Sequence, residues 1–148
     1  MPDRTRLRTT WDGLLISEEP PHGATVLVFR RVGDSLQYLV LRRSTAEGDD
    51  EREWAWGPPS GARLPGEPVV ACAARELEEE TGFRLRLHEV TYDPAWASYW
   101  AEAPADARVQ LSPEHDSYEW VDLAEATRRC TPAIVAEQFQ VLARSAAA

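Results

Sequence analysis

Lysine and asparagine are missing from this 148-residue chain, so all 16 basic residues are arginines. Any anion it meets must be held by guanidinium forks, backbone amides or a bound cation, not by an ammonium point charge. Cysteine is scarce: Cys72 and Cys130 are too few for a disulfide framework and read as reduced thiols of a cytoplasmic protein. No apolar run approaches the ~20 residues that span a bilayer. The basic start over residues 1–8 leads into no apolar core and does not read as a signal peptide. Positive charge is in deficit too. A net charge of −9 and a pI near 4.8 argue against nucleic acid as a partner. What remains is a protein of ordinary composition, 43% hydrophobic and 28% charged, long enough for one buried core.

Residues 1–22 mix arginine, proline and acid and read as a loosely held arm, leaving 23–148 as one domain. Two β-branched and aromatic runs, 24–29 and 36–41, flank Gly33-Asp34-Ser35 and predict a β-hairpin. Residues 44–53 are polar and acidic, an exposed loop. From Trp54 through Trp56 into Pro58-Pro59 the paired prolines forbid helix. Pro68 suits a first helical position, 71–80 are strong helix formers, and Gly82 supplies the stop. Strands are expected at 84–92, 97–101, 107–111 and 118–121, with helices at 122–129 and 132–144. The pattern is one α+β domain with a mixed sheet.

The chemistry concentrates in the helix at 71–80. Glu76, Glu79 and Glu80 stand at i, i+3 and i+4, so three carboxylates share one arc, and like charges there repel. Val70, Ala73, Ala74 and Leu77 form a neighbouring stripe expected to bury the helix, with Glu78 in solvent. Convergent carboxylates suit a hard divalent cation, Mg²⁺ or Mn²⁺. Arg75 can orient Glu67 through a bidentate pair, and the glycines at 61 and 66 permit a tight loop. A glutamate-rich helix is also, commonly, a solvated face.

The whole string decides between these. Gly61, Glu67, Arg75-Glu76-Leu77, Glu79-Glu80 and Gly82-Phe83 match the Nudix box, G-x5-E-x7-R-E-U-x-E-E-x-G-U with U apolar, at every fixed position. The chain therefore resembles the Nudix family. That resemblance implies an α/β/α sandwich with a mixed β-sheet between helices. It also implies metal-dependent hydrolysis of a nucleoside diphosphate linked to another group. Carried onto this chain, Glu76 and Glu80 would be metal ligands, Glu79 a third ligand or a positioner of water, and the Ser60 carbonyl a further contact. Glu67 and Arg75 would brace the loop. Members often use a further glutamate outside the box, and Glu114, in Glu114-His-Asp-Ser-Tyr-Glu-Trp120, is the candidate metal ligand or general base. His115 beside it is a candidate for phosphate binding or proton transfer, or simply an exposed side chain.

For the substrate, Arg42, Arg43 and Arg63 are candidate phosphate contacts. Trp54, Trp56, Tyr99, Trp100 and Tyr118 are candidate faces for a base; each is equally open to a role in the core or on the surface. The segment 111–120 resembles asymmetric diadenosine tetraphosphate hydrolases. With Ala136-Glu-Gln-Phe139 it also resembles dihydroneopterin triphosphate pyrophosphohydrolases. Ser60 and Ala62 stand where the former carry lysine and histidine. The expected partner is a small nucleotide-like molecule, and many relatives pair as homodimers. A Nudix-fold sensor that binds nucleotide without hydrolysing it is the alternative; such proteins usually lose box glutamates, and this chain keeps them.

Overall fold

The computed structural model describes residues 15–46 and 52–147. Strand β1 (Gly23–Val32) turns at Gly33, in the left-handed region with φ +60, into β2 (Ser35–Arg43). The two pair antiparallel only over Phe29–Val32 and Ser35–Tyr38. Beyond that they part, and two short strands pair with the freed ends. β3 (Trp56–Gly57) pairs with β2 at Leu41 and Arg42, and β4 (Ser60–Ala62) pairs with β1 at Gly23–Thr25. The Pro58-Pro59 step between them, barred from helix as expected, sets the loop that carries Ser60 and Gly61.

Helix α1 (Val69–Thr81) follows, ending at Gly82 in the left-handed conformation. Then come β5 (His88–Asp93), β6 (Trp96–Glu102) and β7 (His115–Val121), and helices α2 (Leu123–Arg129) and α3 (Ala133–Ala147). β6 runs parallel to β1 and antiparallel to β5, while β7 pairs antiparallel with β2. The sheet is therefore mixed. Alternate residues of β1 feed opposite cores. Leu27 and Phe29 pack with Phe139 and Leu142 of α3. Ala24, Val26 and Val28 pack with Cys72, Ala73 and Leu77 of α1. Both faces of the central strands are covered, which is why they read as continuous apolar runs rather than as alternation. None of the described helices is long and apolar enough to cross a membrane.

Four sequence-based expectations need correction. Residues 107–111 form no strand: the Gln110 amide donates to the Thr81 carbonyl at 2.8 Å, and Ala107, Val109 and Leu111 pack on the α1 side of the sheet. Their apolar alternation records burial beside a helix end, not a ladder. Residues 84–87 likewise precede β5 without joining it, with Leu85 and Leu87 in the same core. In the expected 44–53 loop, Ser44–Ala46 is a 3-10 turn with Ala46 buried, and 47–51 lie outside the described residues. The helix face is also rotated from expectation. Val70 and Ala74 are exposed, and the buried side is Cys72, Ala73, Glu76, Leu77, Glu80 and Thr81. Two glutamates thus lie on the buried side.

Residues 15–22, the described part of the arm, are fastened to the domain. Ser17 is buried, and its amide donates to the Arg63 carbonyl at 2.7 Å. The Arg63 guanidinium donates to the carbonyls of Glu19, Pro21 and Glu67 at 2.7–2.8 Å.

Candidate active site

The rotation of α1 separates its three glutamates. Glu80 is 1% exposed and Glu76 7%, whereas the Glu79 side chain is 55% exposed. Glu79 leans on Arg75, 3.3 Å away. The Glu76 and Glu80 carboxyls lie close enough to perturb each other's titration, and burial, the largest cause for both, raises their pKa values. Glu80 is held well above the usual carboxylate range. Desolvation disfavours the charged form of each, and for Glu80 the nearby Glu76 and Glu114 charges add to it. Glu80 Oε1 accepts from the Ser60 amide at 3.2 Å, while its Oε2 is buried without a hydrogen-bond partner.

Gly61 makes room for this pair. A Cβ there would fall 2.1 Å from the Glu76 carboxyl carbon and 2.2 Å from one of its oxygens. The box glycine is needed for lack of space, not for a special backbone angle.

Arg75 organises the loop. It grips Glu67 with two bonds, Nε to Oε2 at 2.8 Å and Nη2 to Oε1 at 3.0 Å. It also donates to Glu76 Oε1 at 2.8 Å and to the Ala62 carbonyl at 3.0 Å. Arg75 in turn lowers the Glu67 pKa, chiefly through that hydrogen bond. A carboxylate with a depressed folded-state pKa stabilises the fold above its unfolded pKa, and that stabilisation is lost as pH falls through the folded pKa. Arg75→Gln is therefore expected to lower stability by about 2 kcal/mol at pH 7. The gap between variant and wild type in urea midpoint should narrow once Glu67 takes up its proton in acid. A gap constant from pH 7 to pH 3 would refute the bracing role.

His115 approaches the same Glu80 oxygen as the Ser60 amide, with Nε2 4.0 Å from Oε1. Burial, then the nearby Arg43 charge, lowers its pKa to about 4. It is neutral at pH 7, so this contact is not an ion pair. Glu114 is half-buried and close enough for its charge to raise the Glu80 pKa.

A cavity of about 600 Å³ opens beside the pair, and Ser60 and His115 belong to its wall. Of the residues nominated for substrate from sequence, Trp56 lines it, though it is 5% exposed, with the Arg129 guanidinium 4.9 Å from its ring centroid. Arg42 is instead held by Asp116 and Arg63 by the carbonyls described above. Tyr118 is exposed on β7 outside the lining. Tyr99 is buried in the α1-side core, and Trp100 stacks on His88 with centroids 3.8 Å apart. Trp54 and Arg43 do line the cavity. So does Trp96, which sequence reasoning passed over because only the parallel pairing of β6 with β1 brings it there.

Among the described residues, no three His, Cys, Asp or Glu side chains converge in a geometry that could hold a metal ion. The structure gathers two glutamates where three were expected. Two carboxylates still suit Mg²⁺, which uses one or two protein carboxylates and takes its other oxygens from water and substrate phosphate. The partnerless Glu80 Oε2 is an oxygen donor of the hard type such an ion requires.

The NUDIX domain family matches residues 20–143. Among curated proteins, the chain is 33% identical over 135 residues to an octanoyltransferase of Myxococcus xanthus, covering 82% of this chain but only 36% of that protein. It is 36% identical over 146 residues to an asymmetrical bis(5'-nucleosyl)-tetraphosphatase of Sus scrofa, covering 82% of this chain and 95% of that one. Among solved structures, a Caenorhabditis elegans Ap4A hydrolase in binary complex superposes with a TM-score of 0.65. It is 25% identical over 84% of this chain and 94% of that one.

Proposed function

Because the chain belongs to the NUDIX family and is a hydrolase of phosphoanhydride bonds, we propose that it cleaves a dinucleoside polyphosphate asymmetrically, using Mg²⁺ or Mn²⁺. The observation that carries this reading is the buried Glu76–Glu80 pair, whose Glu80 Oε2 has no hydrogen-bond partner and whose neighbours Ser60 and His115 line a cavity of nucleotide size. The similarity to the tetraphosphatases, over nearly the whole length of the Sus scrofa protein, supports the substrate class.

Glu76 and Glu80 would hold the cation, with the Ser60 carbonyl, Glu79 and Glu114 as further oxygen donors at its margin. When bound, the cation supplies neutralisation of the phosphate oxygens and activation of water. Gly61 lets the Glu76 carboxylate lie against the loop, and Arg75 fixes its direction. The Ser60 amide holds one Glu80 oxygen, and Oε2, which has no hydrogen-bond partner, would be the cation's donor. The neutral His115 lies beside the oxygen that Ser60 holds. In the reaction, water attacks one phosphorus, the bridging P–O bond breaks, and the water proton passes to a carboxylate of this cluster.

With Mg²⁺, diadenosine tetraphosphate should yield AMP and ATP, resolved by ion-exchange chromatography. ADP-ribose, nucleoside triphosphates and dihydroneopterin triphosphate should be turned over more slowly under the same conditions. Faster turnover of dihydroneopterin triphosphate would replace the proposed substrate. Binding of the dinucleotide without any product would favour a sensor.

A further inference from the structure

The cavity is larger and more apolar than the hydrolytic pair alone requires. At its mouth Trp54, Tyr92 and Ile134 leave large hydrophobic surfaces in water, 53%, 37% and 57% exposed. Its wall is rigid at Trp96. That indole donates from Nε1 to Thr25 Oγ1 at 2.9 Å, and a Cβ added to Gly23 would lie 2.3 Å from its ring.

Trp54 stands apart from these. Its φ of 68 makes it the one non-glycine residue in the left-handed region among the described residues. That conformation opposes the steric preference of any bulky side chain. The Trp54 amide donates to the Thr131 carbonyl at 2.7 Å, which pins the backbone in place. Such outliers concentrate where a side chain must be presented to a ligand.

The cavity also carries a cationic side chain. Arg42 and Arg63 are turned to Asp116 and to backbone carbonyls, but Arg43 lines the cavity and acts electrostatically on His115. The lining thus joins exposed aromatic faces, a guanidinium, and the Ser60 and His115 that touch Glu80. That set of surfaces complements a planar aromatic group carrying a polyanionic tail. Ser60 and Ala62 leave the box loop without a cation of its own until Arg63, which faces away.

We propose that this cavity receives the planar base of a phosphate-bearing substrate, stacked on Trp54, with Arg43 holding the phosphates that lead from the base to the Glu76–Glu80 pair. The assignment rests on the hydrolase reading above and names the residues that select the substrate.

The test measures binding without turnover, by titrating the full-length protein with three ligands. These are a methylene-bridged ATP analogue, a methylene-bridged ribose triphosphate lacking the base, and adenosine. Trp54→Gly suits the observed φ, so the fold should hold. Its Kd for the ATP analogue should rise about 10- to 100-fold, with the base-free ligand unaffected, and Trp54→Phe should recover most of the loss. Arg43→Gln should weaken both phosphate ligands about 10-fold and leave adenosine unchanged. Wild-type affinity of Trp54→Gly for the ATP analogue, or equal loss of the base-free ligand, would overturn the assignment. So would unchanged phosphate binding in Arg43→Gln. If the pattern holds but the wild type hydrolyses no anhydride, the hydrolase reading fails while the cavity assignment stands. Full turnover with wild-type KM in both variants sinks the cavity assignment alone.

Discussion

Glu80→Gln is expected to lower kcat about 10²- to 10⁴-fold while leaving the protein as stable as before, or more so, in chelator. The two expectations come from one fact. Glu80 is 1% exposed, beside a second buried carboxyl, with an oxygen that no donor satisfies. A carboxylate in that position works against the fold in the absence of a cation, since burying charge is costly. Glutamine keeps the shape and the acceptor for the Ser60 amide, but it cannot bear the charge. Mg²⁺ should therefore raise the melting temperature of the wild type by preferential binding to the folded state, and this shift should vanish in the variant. More than a tenth of wild-type turnover in Glu80→Gln would remove Glu80 from the chemistry. A loss of several degrees in chelator would make it a structural residue instead.

Gly61→Ala is expected to cost about 10²-fold in kcat, an effect far out of proportion to one methyl group. The added carbon would lie 2.1 Å from the Glu76 carboxyl. The obstacle is the end of a flexible side chain, so the fold can yield by moving Glu76 away from Glu80 and out of its bond with Arg75. Stability should then change by no more than about 1 kcal/mol, within the usual range for a tolerated substitution. Activity should collapse, because a displacement of about 1 Å in a positioning group can cost that much. The check pairs thermal unfolding with steady-state kinetics. Loss of both in proportion would point to global unfolding, and loss of neither would show that Glu76 need not lie against the loop.

The fold was largely legible because its signals are local. The hairpin announced itself through Gly33 and the end of helix α1 through Gly82, while Pro68 stands just ahead of that helix rather than as its first residue and Asp122 caps α2, its carboxylate accepting from the Glu125 amide. The errors came where an apolar pattern has two physical origins. Residues 107–111 alternate because one side rests on the core, yet their backbone bonds run to a helix end.

At the site, spacing placed Glu76 and Glu80 on one helix arc but could not say which way that arc turned. The orientation depends on how α1 packs on β1, with Gly61 admitting a carboxylate where any larger residue would exclude it. Proximity in sequence misled for the cations. Arg42 and Arg43 are adjacent on a strand, so they point to opposite faces, and one finds Asp116 while the other finds the cavity. Trp96 owed its place to a parallel pairing across some seventy positions, which no local pattern encodes.

The grip of Arg63 on the carbonyls of Glu19 and Pro21, with Ser17 tucked beneath it, bears on where the folding unit should be cut. A recombinant product trimmed to the first strand would strand a buried guanidinium beside vacated acceptors and pull on Glu67 through the same side chain. Cleavable tags and fusion partners therefore belong ahead of Leu15, because the box loop is anchored partly from upstream of the sheet.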